Sequence, residues 1–126
     1  MSNANQTFRG KASLELQGSR LLISATGVTT PGTLQTLISY TVPVGYRLNI
    51  LGVRVTCSIS IFWKYTVNAS QNASGRCHPG NPNDDYTFLP ADDATAGDVI
   101  EVTLDVGSDR PASDVESYIQ ARLIAI

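Results

Sequence analysis

Tyr40-Thr41-Val42-Pro43-Val44-Gly45-Tyr46-Arg47-Leu48-Asn49-Ile50 is the stretch whose reading decides the fold. Two runs of β-branched, aromatic and aliphatic residues, types that suit a half-buried pleated surface, meet there at a Pro/Gly corner. Pro43 removes a ladder donor and Gly45 supplies a permissive backbone angle, so the corner reads as a turn between two strands. Upstream, Leu34, Thr36, Ile38 and Tyr40 share one parity and Gln35, Leu37, Ser39 and Thr41 the other, which is a strand pattern. Downstream, Tyr46, Leu48 and Ile50 share a face, but the apolar parity then moves to Leu51, Val53, Val55 and Cys57. A one-residue slip flips every side chain, so a bulge near Leu51-Gly52 is expected, with Gly52 tolerating it.

The same period continues outward. Ile59, Ile61, Trp63, Tyr65 and Val67 alternate with Ser60, Phe62, Lys64, Thr66 and Asn68, the clearest strand in the chain, and Trp63 and Tyr65 are assigned to the core. Ala69 to Asp85, rich in Asn, Ser, Gly and Pro, reads as a long loop or an edge strand with excursions. Tyr86 to Leu89 is a short strand ended by Pro90, Asp92 to Gly97 a turn, and Ile100, Val102, Leu104 and Val106 mark another strand. Asp114 to Ile126 fits a helical stripe, with Ser113 and Glu116 resembling a capping box, and equally a strand face. The strand is preferred because the preceding strands need a partner. On the N-terminal side, Leu14 with Leu16 and Leu21 with Ile23 flank Gln17-Gly18-Ser19 as a short hairpin, and residues 1 to 11 are too polar for an element and read as an arm. The expected organisation is an arm and hairpin over 1–32 followed by a sandwich over 33–126. The expected class is all-β, an antiparallel sandwich of six to eight strands with an extended N-terminal arm.

At 126 residues the chain makes one domain able to bury about two-thirds of the surface its unfolded form exposes. The charged fraction is 16%, below the roughly 25% of an average domain, and Lys occurs only at positions 11 and 64. That composition suits a surface packed against neighbours, because interface cores are depleted in Lys, Glu and Asp. A net charge of −2 with scattered arginines argues against nucleic acid, and no stretch has the length of a membrane span. No targeting segment is recognised at the start, so Asn5, Asn68 and Asn72, each in a glycosylation acceptor pattern, are read as ordinary polar residues. A Cys57–Cys77 disulfide would close a loop of about twenty residues and contribute roughly 3 kcal/mol. Reduced, buried thiols are preferred instead.

No catalytic constellation is found, and no enzyme is expected. His78 is the one histidine, and the Gly-x-Ser-x-Gly elbow of many hydrolases is missing. Cys57, Cys77 and His78 lack the paired spacing of zinc ligands, and Asp84, Asp85, Asp92 and Asp93 match no EF-hand loop, so no metal or other cofactor is assigned. The residues singled out for interaction are Phe8 and Arg9 in the arm, with Arg76, His78, Asp84, Asp85 and Tyr86 in and beside the polar stretch.

The Tyr40–Ile50 run resembles the strand, Pro-x-Gly corner, strand signature of small jelly-roll-like β-sandwich proteins from tailed-phage virions. The aromatic strand around Trp63, Ala96-Gly97-Asp98-Val99-Ile100 and Val115-Glu116-Ser117-Tyr118-Ile119 extend the likeness over residues 33 to 126. The resemblance implies a capsid decoration or cement protein. Such a protein would be a homotrimer on the lattice of major capsid protein, made in the host cytoplasm and resident on the virion. It also allows a tail-fibre or baseplate module that binds a host glycan or protein receptor through the Ala69–Asp85 segment.

Overall fold

A computed structural model describes residues 6–8, 11–17 and 20–126, the first two stretches by their backbone. Ten strands run in the order β1 (Gln6–Phe8), β2 (Lys11–Gln17), β3 (Arg20–Val28), β4 (Leu34–Thr41), β5 (Tyr46–Cys57), β6 (Ile61–Val67), β7 (Ser70–Cys77), β8 (Asn83–Thr95), β9 (Val99–Asp105) and β10 (Asp114–Ala125). Among the described residues there is no helix, and Asp114–Ala125 is strand rather than helix.

Strands β3 to β10 form an antiparallel sandwich of two four-stranded sheets, β4-β9-β6-β7 and β3-β10-β5-β8. The pairs nest: β6 with β7, β5 with β8, β4 with β9 and β3 with β10. The chain is therefore one long antiparallel ribbon wrapped around a core, the jelly-roll arrangement. At its tip, Asn68 and Ala69 join Val67 to Ser70 with φ of 49° and 66°, the two positive angles of a two-residue hairpin whose twist matches its strands. Beyond the sandwich, β1 extends the first sheet on β4 and β2 extends the second on β3.

The core lies between the sheets and is built from the alternating faces. Leu48, Ile50, Val53, Val55 and Cys57 of β5 all point inward although their parity changes midway. The ladder accounts for this: β10 pairs Gln120 with Gly52 and Ala121 with Ile50, passing over Leu51. The expected bulge is thus at Leu51, and β8 breaks register at the same place, from Asp92 opposite Ile50 to Thr87 opposite Gly52. A Cβ on Gly52 would lie 3.1 Å from the Tyr86 carbonyl, so the bulge also needs a small residue there.

Two expectations are corrected, and one open alternative is decided. Arg20–Val28 does not stand apart with the arm: β3 pairs along β10 and buries Leu21, Ile23 and Ala25, so the sandwich begins before residue 33. The polar Ala69–Asp85 stretch, for which a loop or an edge strand was open, is mostly strand, with β7 on the edge of one sheet and β8 starting at Asn83 on the edge of the other. Edge strands are solvated on one side and need few apolar residues, which is why composition left both alternatives open. Pro90 does not end a strand but lies inside β8, between Thr87 and Asp92 where pairing with β5 lapses, so its missing N–H breaks no ladder bond. Of the expected arm, Gln6–Phe8 pairs with Ile38–Tyr40, an interaction of backbone groups that requires no apolar side chain.

Candidate functional site

Of the interaction residues chosen from the sequence, Arg76, His78, Asp84, Asp85 and Tyr86 gather at the β7/β8 side of the sandwich, but alternation along the strands sends them to different faces. Asp84 turns between the sheets. Its Oδ2 accepts a hydrogen bond from Trp63 Nε1 (2.9 Å) and another from the Arg76 backbone N–H (2.8 Å), tying β8 to β6 and β7 across the open edge. Gly75 makes this approach possible, because a Cβ there would stand 2.0 Å from Asp84 Oδ2 and 2.7 Å from the Trp63 ring.

Asp85, one residue on, faces out of the second sheet and forms a two-pronged pair with Arg54, Nε to Oδ1 and Nη2 to Oδ2. The Arg54 guanidinium also lies over the Tyr118 ring, 5.4 Å from its centroid. The hydrogen bond from Arg54 holds the Asp85 carboxyl below the usual carboxylate range, and Asp85 in turn raises Arg54. Tyr86 packs on Phe88 with centroids 4.9 Å apart, and Phe88 on the buried Tyr65 at 5.3 Å. Burial, and secondly the Asp92 charge, push the Tyr65 phenol up, although its hydroxyl is outside hydrogen-bonding geometry with any described group. His78 is consumed by its own turn: its backbone pairs with Asn81 and its Nδ1 accepts from Gly80 N–H at 3.2 Å. Phe8 lies in β1, opposite Ile38 on the far edge of the first sheet, and Arg9 lies outside the described residues.

Cys57 and Cys77 are buried and unbridged. Cys77 Sγ donates to the Val55 carbonyl (3.3 Å), and its thiol is pushed up to about 11 by burial, the Asp84 carboxylate and Cys57. Among the described residues no three His, Cys, Asp or Glu side chains converge as metal ligands. The carboxylates are instead engaged locally: Asp92 accepts from Asn72 Nδ2, and Asp98 from Asn68 Nδ2 and the Thr95 backbone, which lowers the Asp98 carboxyl.

Apart from Arg76, which was chosen, what sequence reading missed is on the outer face of the first sheet. Register places Leu34 beside Asp105, Asp105 beside Phe62 and Phe62 beside Arg76, one row across all four strands β4, β9, β6 and β7. The next outward row is Thr36, Thr103, Lys64 and Ser74. Phe62 is 60% and Leu34 70% exposed, and they border an open groove of about 440 Å³. The Arg76 guanidinium stands over the Phe62 ring at 5.7 Å. The available signal was Phe62 itself, an aromatic on the otherwise polar parity of β6.

No family model and no curated protein matches the chain. Among solved structures, the chain is similar to the insecticidal delta-endotoxin Cry8Ea1 from Bacillus thuringiensis at 15% identity and a TM-score of 0.37. The match covers 83% of this chain, which spans 19% of that toxin's length.

Proposed function

We propose that the chain is a structural protein of a phage virion, a capsid decoration or cement protein that binds the lattice of major capsid protein as a homotrimer. The observation that supports this best is at the β3/β4 side, where the N-terminal segment adds one strand to each sheet by backbone pairing. A segment held in this way is suited to pairing with a neighbour's sheet edge as well as its own, which is a means of linking subunits in a shell. Low charge and scarcity of lysine agree with a surface that packs against others. The work is mechanical and calls for no nucleophile, cofactor, nucleic acid or membrane.

The test is quantitative mass spectrometry of purified particles with binding of the full chain and of a form lacking residues 1–17 to undecorated capsids. Copy numbers comparable with the major capsid protein, and loss of binding by the shortened yet folded form, are expected. Absence from purified particles overturns the reading. A second reading, a tail-fibre or baseplate module that binds a host glycan or protein, is favoured by the exposed Phe62 groove. A few copies per particle would select it.

A further inference from the structure

We infer that the Phe62 groove on the outer face of the first sheet is a saccharide-binding site selective for sugars that carry a carboxylate. The groove lies on the face of β9, β6 and the edge strand β7, with Leu34 of β4 at its border. The backbone groups of β9 and β6 are spent on ladders to both sides, so a peptide strand cannot pair with them on this face and recognition there comes from side chains.

Those side chains form a mixed set. Phe62, 60% exposed at the centre of its row, presents an apolar ring on which the C–H face of a pyranose can lie. Polar groups surround it within one register step: Asp105 and Arg76 in the same row, Thr103, Lys64 and Ser74 in the next. A carboxylate, a guanidinium and hydroxyls flanking an exposed ring supply acceptors and donors for ring hydroxyls. A volume of about 440 Å³ is within the range of small-molecule sites and admits one or two sugar rings.

Charge decides the kind of sugar. Arg76 and Lys64 are both exposed, and neither forms an ion pair among the described residues, where Arg54 with Asp85 and Arg110 with Asp109 are paired. The rows thus hold two cations against the single carboxylate of Asp105, in a chain whose net charge is −2. The guanidinium fork of Arg76, 5.7 Å from the Phe62 ring centroid, matches a carboxylate in two-pronged geometry, and Lys64 adds a point charge.

This inference deepens the second reading of function, yet it is settled by binding alone, whereas particle copy number settles where the protein resides. The full chain is titrated by calorimetry and saturation-transfer NMR with glucuronate-, galacturonate- and N-acetylneuraminate-terminated disaccharides. Their neutral analogues, sulfate and an acidic hexapeptide are measured at matched ionic strength. Saturable binding of an acidic saccharide is expected, weakening with salt and exceeding its neutral analogue. Phe62→Ala and Arg76→Gln should each lower affinity about tenfold, the scale of one stacking or charge-assisted contact. Both positions are exposed, so unchanged thermal melting of the variants confirms an intact fold. No saturable sugar binding, equal affinity for the neutral analogue, preference for the peptide or for sulfate alone, or binding indifferent to Phe62→Ala in a folded variant overturns the proposal.

Discussion

Asp84 ties the open edge together, because one carboxylate oxygen satisfies both the Trp63 indole and the Arg76 backbone donor. Removing it leaves two donors unpaired, each costing about 1–3 kcal/mol if kept from water. Asp84→Ala is expected to destabilise by about 2–4 kcal/mol in urea titrations, and Asp84→Asn by less, since an amide oxygen can still accept. Gly75→Ala should approach the Asp84→Ala loss, because its methyl would occupy the carboxylate's position. A Gly75→Ala variant as stable as the parent would show that the Trp63–Asp84 contact contributes little. The carboxyls of Asp85 and Asp98 are both lowered in the folded state, Asp85 first by its Arg54 hydrogen bond and Asp98 first by the Thr95 backbone. As pH falls the unfolded chain takes up these protons before the folded one, so the stability they confer is present above about pH 4 and lost as pH drops through the folded values. Arg54→Ala should flatten that acid limb, read as stability against pH from pH 7 to 2.

At the scale of elements, the bulge at Leu51 makes a sharp case. It lets Leu48 and Ile50 on one side of it and Val53, Val55 and Cys57 on the other all reach the core. Deleting Leu51 removes the extra residue and leaves Leu48, Ile50, Val53, Val55 and Cys57 on one parity, so the core face survives and a cooperative thermal transition is expected. Inserting one residue between Val53 and Arg54 would instead turn Val55 and Cys57 to the outer face of an inner strand paired on both sides. That insertion is expected to abolish cooperative folding, seen as loss of the strand signal in circular dichroism and of a thermal transition. The bulge was legible because the inward face of β5 is buried from Leu48 to Cys57, so its parity fault stands out in the residues themselves. For β7 the residues allowed a loop or an edge strand, and of β8 they showed only Tyr86–Leu89, since each strand has a free edge and β8 is largely exposed. The place of β3 was also hidden. Its apolar alternation was read correctly, but its partner, β10, lies about a hundred residues away in the register of Arg20 with Arg122, and alternation carries no information about partners. The candidate site suffered similarly: a row of Leu34, Asp105, Phe62 and Arg76 exists only once four strands are set side by side.

For the whole molecule, the two sides of the sandwich are unlike. The β3/β4 side receives added strands and the β7/β8 side is laced by Asp84, so any growth by strand addition would have a direction. The ribbon also has a tip, the Asn68-Ala69 turn. Asn68 is anchored there, its Oδ1 accepting from Val99 N–H and its Nδ2 donating to Asp98, whereas Ala69 takes its positive φ with nothing but a methyl group. Ala69→Gly is expected to raise stability by about 0.5–1 kcal/mol, measured by denaturant titration, because glycine adopts that angle without the steric penalty.

Nested pairing sets an order in time as well as in space. From the tip outward, each successive pair joins residues farther apart in sequence: β6 with β7, then β5 with β8, β4 with β9 and β3 with β10. Closing the widest loop last, after inner pairs have brought its ends near, is the least entropically demanding route. On the ribosome, β3 then waits with its apolar face bare until β10 has emerged, since β10 is the strand that joins it to β5. The hairpin at Asn68-Ala69 thus acts as the starting point of a zipper, and the interval before β10 arrives is the period in which the nascent chain is most open to aggregation or to a chaperone.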